Sequence, residues 1–181
     1  VFLIAAFRSI ALPLKAIAMN LLATGAALGI TVAVFQWGLG ENVLDFTSPG
    51  FVQVYLPTVV FALLFGLSMD YEVFLIRRIR EYWDASGDNQ RAVAAGLTHT
   101  ARPITAAAAI MIAIFASFLT ADILELKQLG LALAVAVAID AVLIRLVLVP
   151  ALMRLLGGWN WWLPALRFRP PNTRAPRAAA E

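Results

Sequence analysis

Residues 54–76 read VYLPTVVFALLFGLSMDYEVFLI, an apolar run that ends with two carboxylates, Asp70 and Glu72. A helix needs about 20 predominantly apolar residues to cross a bilayer, and this run is long enough. The whole chain is 62% hydrophobic and only 14% charged, whereas globular domains are about half apolar and about a quarter charged. Because isolated strands cannot satisfy their backbone in lipid, we predict an all-α integral membrane protein.

Three further apolar runs lie at residues 16–35, 103–120 and 129–152, and the last two are spaced as a helical hairpin. We therefore predict a transmembrane domain at 1–156 with four complete spans, at 16–35, 54–76, 103–120 and 129–152. Residues 1–7 are apolar but too short to cross, so they are interpreted as the end of a truncated fifth helix. The chain starts inside an apolar run without a methionine, which indicates a piece of a longer protein.

Residues 157–181 change in character, with three tryptophans followed by a basic, proline-rich stretch. Indole rings suit the headgroup region of a bilayer, and the stretch after them has the composition of a disordered segment. We predict an interfacial segment followed by a disordered cytoplasmic tail.

The distribution of lysine and arginine predicts the topology. Of 14 basic residues, 13 fall on one side of the predicted spans or at helix ends facing it, and only Lys127 falls on the other. By the positive-inside rule, residues 8–15 and 77–102 and the carboxy terminus are then cytoplasmic. The expected location is the bacterial plasma (inner) membrane, crossed several times.

The loop at residues 81–102 contains Ser86-Gly87-Asp88, a turn with a plausible N-cap, and then a weakly amphipathic stretch. The pattern indicates either a short helix on the cytoplasmic surface or a plain connector. Pro103 is expected to start the next span, where its missing N–H is harmless.

Small residues at helix-contact spacing indicate close packing between helices. The glycines expected at such contacts are Gly25, Gly29, Gly66 and Gly130. Any packed bundle needs such positions, so they do not point to a function.

Several classes of site are excluded by composition. The chain has no cysteine, which rules out disulfides and thiolate metal sites. Its one histidine, His99, has no nearby partner for a zinc site and is interpreted as solvated. Neither an HExxH nor a GxSxG motif occurs, so we expect no enzyme activity, no metal and no bound cofactor, and nothing indicates nucleic-acid binding.

Asp70 is the most informative residue. It lies seven positions before Arg77, roughly 10 Å inside the end of its helix, where a carboxylate costs on the order of 3 kcal/mol. Such a group usually faces the bundle interior or a water-filled path. It is either protonated, which makes it a proton carrier, or paired with a group on another helix, which makes it a strut. Tyr71 beside it offers a phenolic hydroxyl.

Three other charges form a predicted buried network. Glu72 lies about 200° around the helix from Asp70, so the two cannot share a face. Arg145 has a similar depth and is the expected counter-ion of Glu72, unless both side chains extend separately to the headgroups. Asp140 lies about 140° from Arg145 on an α-helical wheel, which makes a direct pair strained. It is therefore either a second proton site or the partner of a group on another helix.

Residues 66–83 (GLSMDYEVFLIRRIREYW), 87–108 and 129–164 resemble the carboxy-terminal membrane half of the MMPL family of bacterial transporters, in the resistance-nodulation-division superfamily. The resemblance implies half of a pseudo-symmetric transporter, with protons as the coupling ion. In that family an Asp-Tyr pair at the bundle centre relays protons to a matching pair in the other half. Asp70 and Tyr71 match that motif, and the second pair would lie in the missing amino-terminal half.

The function that this resemblance implies is proton-driven export of lipids or other hydrophobic compounds. The expected partners are the bilayer, the amino-terminal half and a hydrophobic or lipid substrate. The alternative is a non-transporting membrane scaffold or lipid-sensing module, in which the buried charges are structural. Dependence of transport on a proton gradient, and on Asp70, distinguishes the two.

Overall fold

The computed structural model describes residues 11–157, and this part of the chain contains helices and no strand. The long helices are α1 (Ala11–Phe35), α2 (Leu56–Ser86), α3 (Asn89–Ser117), which continues into the 3-10 turn Phe118–Thr120, and α4 (Leu124–Leu156). Each has the length and composition of a membrane span, which confirms the predicted all-α membrane bundle. The expected truncated helix at 1–7 and the segment from residue 158 lie outside the described residues.

Helix α4 is the centre of the bundle. In the most apolar 18-residue stretch of α4, 56% of the residues are buried, whereas the corresponding share is 11–33% in the other three helices. It packs against α1, α2 and α3. Side chains on α4 therefore meet groups from every other helix.

Two glycines permit the closest helix contacts. A Cβ at Gly130 would lie 2.6 Å from Phe118 Cβ and 2.7 Å from the Phe115 carbonyl oxygen, and one at Gly96 would lie 2.5 Å from Ile79 Cγ1. Gly130 was predicted as a packing position, and Gly96 was not.

The other predicted packing glycines are on open helix faces. Within the described residues, a Cβ built at Gly25, Gly29 or Gly66 would meet no atom within 4 Å. Their expected role in packing this bundle is therefore wrong. The reason is that small residues occur on any helix face where something must approach closely, and their spacing does not say which neighbour does so.

The connection between α2 and α3 is two residues long, so residues 81–102 form neither the predicted surface helix nor a plain connector. Gly87 ends α2 with φ 67°, and the Asp88 carboxylate accepts hydrogen bonds from the backbone N–H groups of Gln90 and Arg91. The N-cap is confirmed. However, α3 then runs through Pro103 without a break, because buried residues at four-residue spacing stabilise it on both sides of the proline. They are Ala92, Gly96, Thr100, Ile104 and Ala108.

The long connection between α1 and α2, residues 36–55, is tied to the start of α4. Lys127 is buried, and its ammonium group donates to the carbonyl oxygens of Leu44 and Asp45, both at 2.8 Å. The side-chain amide of Gln128 bonds the backbone of residues 51 and 53. This connection and the turn at 121–123 form one end of the bundle, the loop end.

The opposite end is strongly basic. It contains the α2–α3 connection and the end of α4, which a hydrogen bond of 2.9 Å from Asn89 to the Met153 carbonyl holds together. Its exposed arginines include Arg77, Arg78, Arg91, Arg102 and Arg154. We call it the basic end. Its placement in the cytoplasm stays a prediction.

Candidate functional site

The middle of α4 is a π-helix, Ile139–Leu148, and not an α-helix. In a π-helix each N–H bonds the carbonyl five residues earlier, as the Val149 N–H does with the Ile144 oxygen. Residues five apart therefore lie one above the other. Asp140 and Arg145 are such a pair, and the expectation that a direct contact between them would be strained is wrong for this geometry.

Asp140, Arg145 and Ser68 form one hydrogen-bonded cluster in the bundle interior. Arg145 Nη2 lies 2.8 Å from Asp140 Oδ2, and it also donates to Ser68 Oγ at 2.9 Å and to the Ser68 carbonyl at 3.1 Å. The Ser68 hydroxyl donates to Asp140 Oδ1 at 3.1 Å. All three residues are buried. This Ser68–Asp140–Arg145 cluster joins α2 to α4 at the level of the predicted membrane core.

Tyr71 lies against the same cluster. The guanidinium carbon of Arg145 is 5.3 Å from the centre of the Tyr71 ring, within the range of a cation–π interaction. Tyr71 is half-buried and lies one turn nearer the basic end than Ser68. Arg145 thus contacts a carboxylate, a hydroxyl and an aromatic face at once.

The expected ion pair between Glu72 and Arg145 is not formed, because Asp140 reaches Arg145 from the same helix. The alternative, in which both side chains extend to the headgroups, is also wrong, since both are buried. Glu72 Oε1 accepts no hydrogen bond from any residue in the described range. The charged groups that act on Glu72 there are Lys15, Arg145 and Asp140.

Asp70 faces away from the cluster. It is exposed on the four-helix bundle, whereas Glu72 is buried, as their 200° separation requires. The expectation that Asp70 faces the bundle interior is wrong for these four helices. The reason is the buried stripe of α2, which includes Leu64, Ser68 and Glu72 at four-residue spacing; Asp70 is two positions from two of its members and so lies on the opposite side.

Two small cavities flank the cluster, each of about 10 Å³. One is lined by Tyr71, Asp140 and Arg145 with apolar residues of α2, α3 and α4. The other is lined by Ser68, Glu72, Asp140 and Arg145 with Ala16 and Met19 of α1. A cavity of this size has room for about one water molecule. Within residues 11–157 no group of acidic or histidine side chains is arranged to hold a metal ion.

Sequence reasoning missed two polar residues near this site. Ser68 is one turn before Glu72 on the same face of α2, a spacing that could have indicated it. Lys15 was counted with the basic residues at a helix end, but it is buried. It lies at the edge of the apolar run of α1, which is equally the position of a residue at a membrane boundary, so no signal in the sequence marks it as buried.

The sequence profile of the MMPL family matches residues 1–178. The chain belongs to the MMPL family. Over 164 residues it is 48% identical to the mycolic acid-containing lipids exporter MmpL11 of Mycolicibacterium smegmatis, covering 91% of this chain and 17% of that protein.

Other MMPL relatives differ in their named cargo. The chain is 48% identical to the heme uptake protein MmpL11 of Mycobacterium tuberculosis, over 90% of this chain and 17% of that protein. It is 38% identical to the trehalose monomycolate exporter MmpL3 of the same species, over 91% of this chain and 17% of that protein. The chain therefore spans about a sixth of the length of these relatives.

Proposed function

We propose that this chain is part of the membrane half of an MMPL transporter that uses the proton-motive force to export lipids or other hydrophobic compounds. Two relatives named as lipid exporters support the class of cargo. The protein would lie in the bacterial plasma membrane with its carboxy terminus in the cytoplasm. The Asp70–Tyr71 pair would take part in the proton relay.

The exposed carboxylate of Asp70 is the observation that carries this proposal. At its depth a carboxylate facing lipid would cost on the order of 3 kcal/mol, and no group in the described residues bonds it. Further protein must therefore cover the Asp70 face of α2. The missing amino-terminal half is the partner that the family architecture implies, and it would place Asp70 at the centre of the complete transporter.

Tyr71 connects the two sides of α2. It follows Asp70 in the chain, yet its ring faces Arg145 in the interior cluster. A change of charge at Asp70 acts on the neighbouring Tyr71 and, through its ring, on Arg145. This gives a physical route from protonation at the interface between halves to the packing of α2 against α4.

The test uses the full-length protein reconstituted in vesicles with an inward proton gradient. Asp70→Asn keeps the size and hydrogen-bonding capacity of the side chain but removes its ionisation. We expect normal insertion and folding with loss of gradient-driven export. Asp84→Asn, the same substitution in an exposed surface ion pair, is the matched control and should export normally.

Tyr71→Phe should weaken export without abolishing it, because the hydroxyl positions the acid or its water and does not carry the net charge. Tyr82→Phe, on the part of α2 near the basic end, is its control. Near wild-type export per folded molecule by Asp70→Asn would overturn the proton-relay proposal and favour a scaffold in which the buried charges are structural.

A further inference from the structure

Three buried side-chain atoms lack a hydrogen-bond partner in the described part of the chain: Lys15 Nζ, Asn20 Oδ1 and Glu72 Oε1. Their residues are 8%, 5% and 8% exposed. A buried polar atom without a partner is costly, and native proteins usually satisfy it with protein or ordered water. All three atoms belong to α1 and α2, so the missing hydrogen-bond partners are all on these two helices.

The second cavity described above is lined in part by both helices. Glu72 lines it together with Ala16 and Met19, which directly follow Lys15 and directly precede Asn20 in α1. The cavity is also lined by Ser68, Asp140 and Arg145. An unpartnered carboxylate oxygen and the hydrogen-bonded cluster therefore share one space of the size of a water molecule.

The charges around this cavity balance. Lys15 on α1 and Arg145 on α4 are cationic, while Glu72 on α2 and Asp140 on α4 are anionic, and Glu72 interacts with all of the other three. The charged residues of α3, Arg91 and Arg102, are both exposed. The four groups together are neutral when all are ionised, so one added proton leaves a net charge of +1 in the interior.

The charged groups around the cavity lie at different distances from the basic end of the bundle. Glu72 lies one turn nearer the basic end than Ser68 on the same face of α2. Lys15 lies near the start of α1, which is at that end. Glu72 is therefore between the Ser68–Asp140–Arg145 cluster and the basic end, where a proton would leave towards the cytoplasm under the predicted topology.

We propose that the cavity holds a water molecule bonded to Glu72 Oε1, and that Glu72 exchanges protons through it with Asp140. The step starts from the state with one added proton, in which Asp140 is protonated and its charge pairing with Arg145 is lost. Asp140 then gives that proton to the water, the water gives one of its own to Glu72, and the Asp140 carboxylate pairs with Arg145 again. The water is regenerated and no bond between heavy atoms changes. This inference rests on the proposed proton-driven function.

The first test is Glu72→Gln in the full-length protein, which keeps the shape of the side chain but accepts no proton. Gradient-driven export per folded molecule should fall by on the order of a hundredfold or more, the scale expected for loss of a positioned proton-transfer group. Glu81→Gln, at an exposed surface pair, is the matched control and should export normally. Export by Glu72→Gln close to wild type would overturn the inference.

A readout independent of transport is labelling by dicyclohexylcarbodiimide, which reacts with protonated carboxyls in apolar surroundings. Mass spectrometry of the peptide that contains residue 72 should show an adduct at Glu72 that increases when an inward proton gradient is imposed. Asp140→Asn should reduce that increase. Absence of an adduct at Glu72 under the gradient would overturn the exchange of protons at this carboxyl.

Filling the cavity tests the water itself. Ala16→Val adds two methyl groups to the lining while leaving every charged group in place, and Ala18→Val adds them on the exposed side of α1. We expect Ala16→Val to lower export and the gradient-dependent labelling of Glu72, and Ala18→Val to change neither. Equal behaviour of the two variants, at equal amounts of folded protein, would overturn the water-mediated step.

Asp70→Asn separates this inference from the proposed function. If Asp70→Asn abolishes export and Glu72→Gln does not, only the role of Glu72 is wrong. If Asp70→Asn exports normally, the proton relay proposed above is itself wrong, and the inference falls with it.

Discussion

Asp140 and Arg145 are five residues apart in one helix and form a buried ion pair at 2.8 Å. The π-helical stretch between Ile139 and Leu148 makes this possible, because the same residues in an α-helix would lie about 140° apart. The pair and the helix geometry therefore stabilise each other. A return to α-helical winding would separate Arg145 from Asp140, and π-helical segments are frequent at functional sites.

A double-mutant cycle on Asp140→Asn and Arg145→Gln should show strong coupling. Each single change leaves the other group buried and unpaired, which typically costs about 3–5 kcal/mol, and the coupling energy should be about 1–3 kcal/mol. The measurement is the free energy of unfolding in detergent. The exposed pair Arg80–Asp84 is the control, with an expected coupling of about 0.3–0.5 kcal/mol. Additive losses at Asp140 and Arg145 would contradict the pair.

Ser68→Ala should destabilise the protein although it removes a single oxygen atom. That hydroxyl accepts from Arg145 and donates to Asp140. Arg145 Nη2 keeps Asp140 Oδ2 and the Ser68 carbonyl as acceptors, but Asp140 Oδ1 loses its donor in a buried site, at a cost of about 1–3 kcal/mol. Ser117→Ala is the matched control, since the Ser117 hydroxyl is exposed and bonds only the Ile114 carbonyl of its own helix. Equal thermal stability of the two variants would show that the Ser68 bonds are unimportant.

The sequence was sufficient to predict the helices that cross the membrane, because apolar length alone determines whether a segment can do so. It also placed Asp70 and Glu72 on different faces of α2 from the helical period. It did not show which face is the interior. Leu64, Ser68 and Glu72 share a face by their four-residue spacing, but Gly66, Asp70 and Phe74 share another face in the same way, so spacing alone could not choose between them.

The partner of Arg145 could not be predicted from the sequence. A helical wheel assumes α-helical winding throughout, and the composition of residues 139–148 gives no indication of a π-helix. Likewise, Lys15 has the position of a residue at a membrane boundary, and only the packing of α1 against α2 and α4 shows that it is buried. Both errors concern details that depend on tertiary structure.

The predicted topology can be tested by labelling single cysteines, since this chain contains none of its own. Asp122→Cys at the loop end and Gln90→Cys at the basic end are both exposed positions. By the positive-inside rule, an impermeant thiol reagent added to intact cells should modify the first and not the second. After permeabilisation both should react. The reverse pattern in intact cells would invert the orientation.

Gly130→Ala should loosen the contact between α3 and α4. The added Cβ would lie 2.6 Å from Phe118 Cβ and 2.7 Å from the Phe115 carbonyl oxygen, so the helices must separate, at a cost of about 1–3 kcal/mol. Gly29→Ala is the control, because the same atom meets nothing within 4 Å in the described residues. The thermal stability of the two purified variants in detergent is the measurement. Unchanged stability of Gly130→Ala would contradict the close approach.

Gly25 and Gly66 provide a test of where the rest of the transporter packs. A Cβ at either glycine would meet no atom within 4 Å in the described residues. Gly66 lies one turn before Asp70 on the same face of α2. The exposed neighbours of Gly25 on α1, Leu21 and Leu22, are instead apolar. A face with a carboxylate must be covered by protein, while an apolar face can contact lipid tails. In the full-length protein, Gly66→Leu should therefore lower the folded amount and the export per molecule, and Gly25→Leu should be tolerated. Equal tolerance of both would show that nothing packs closely on the Asp70 face.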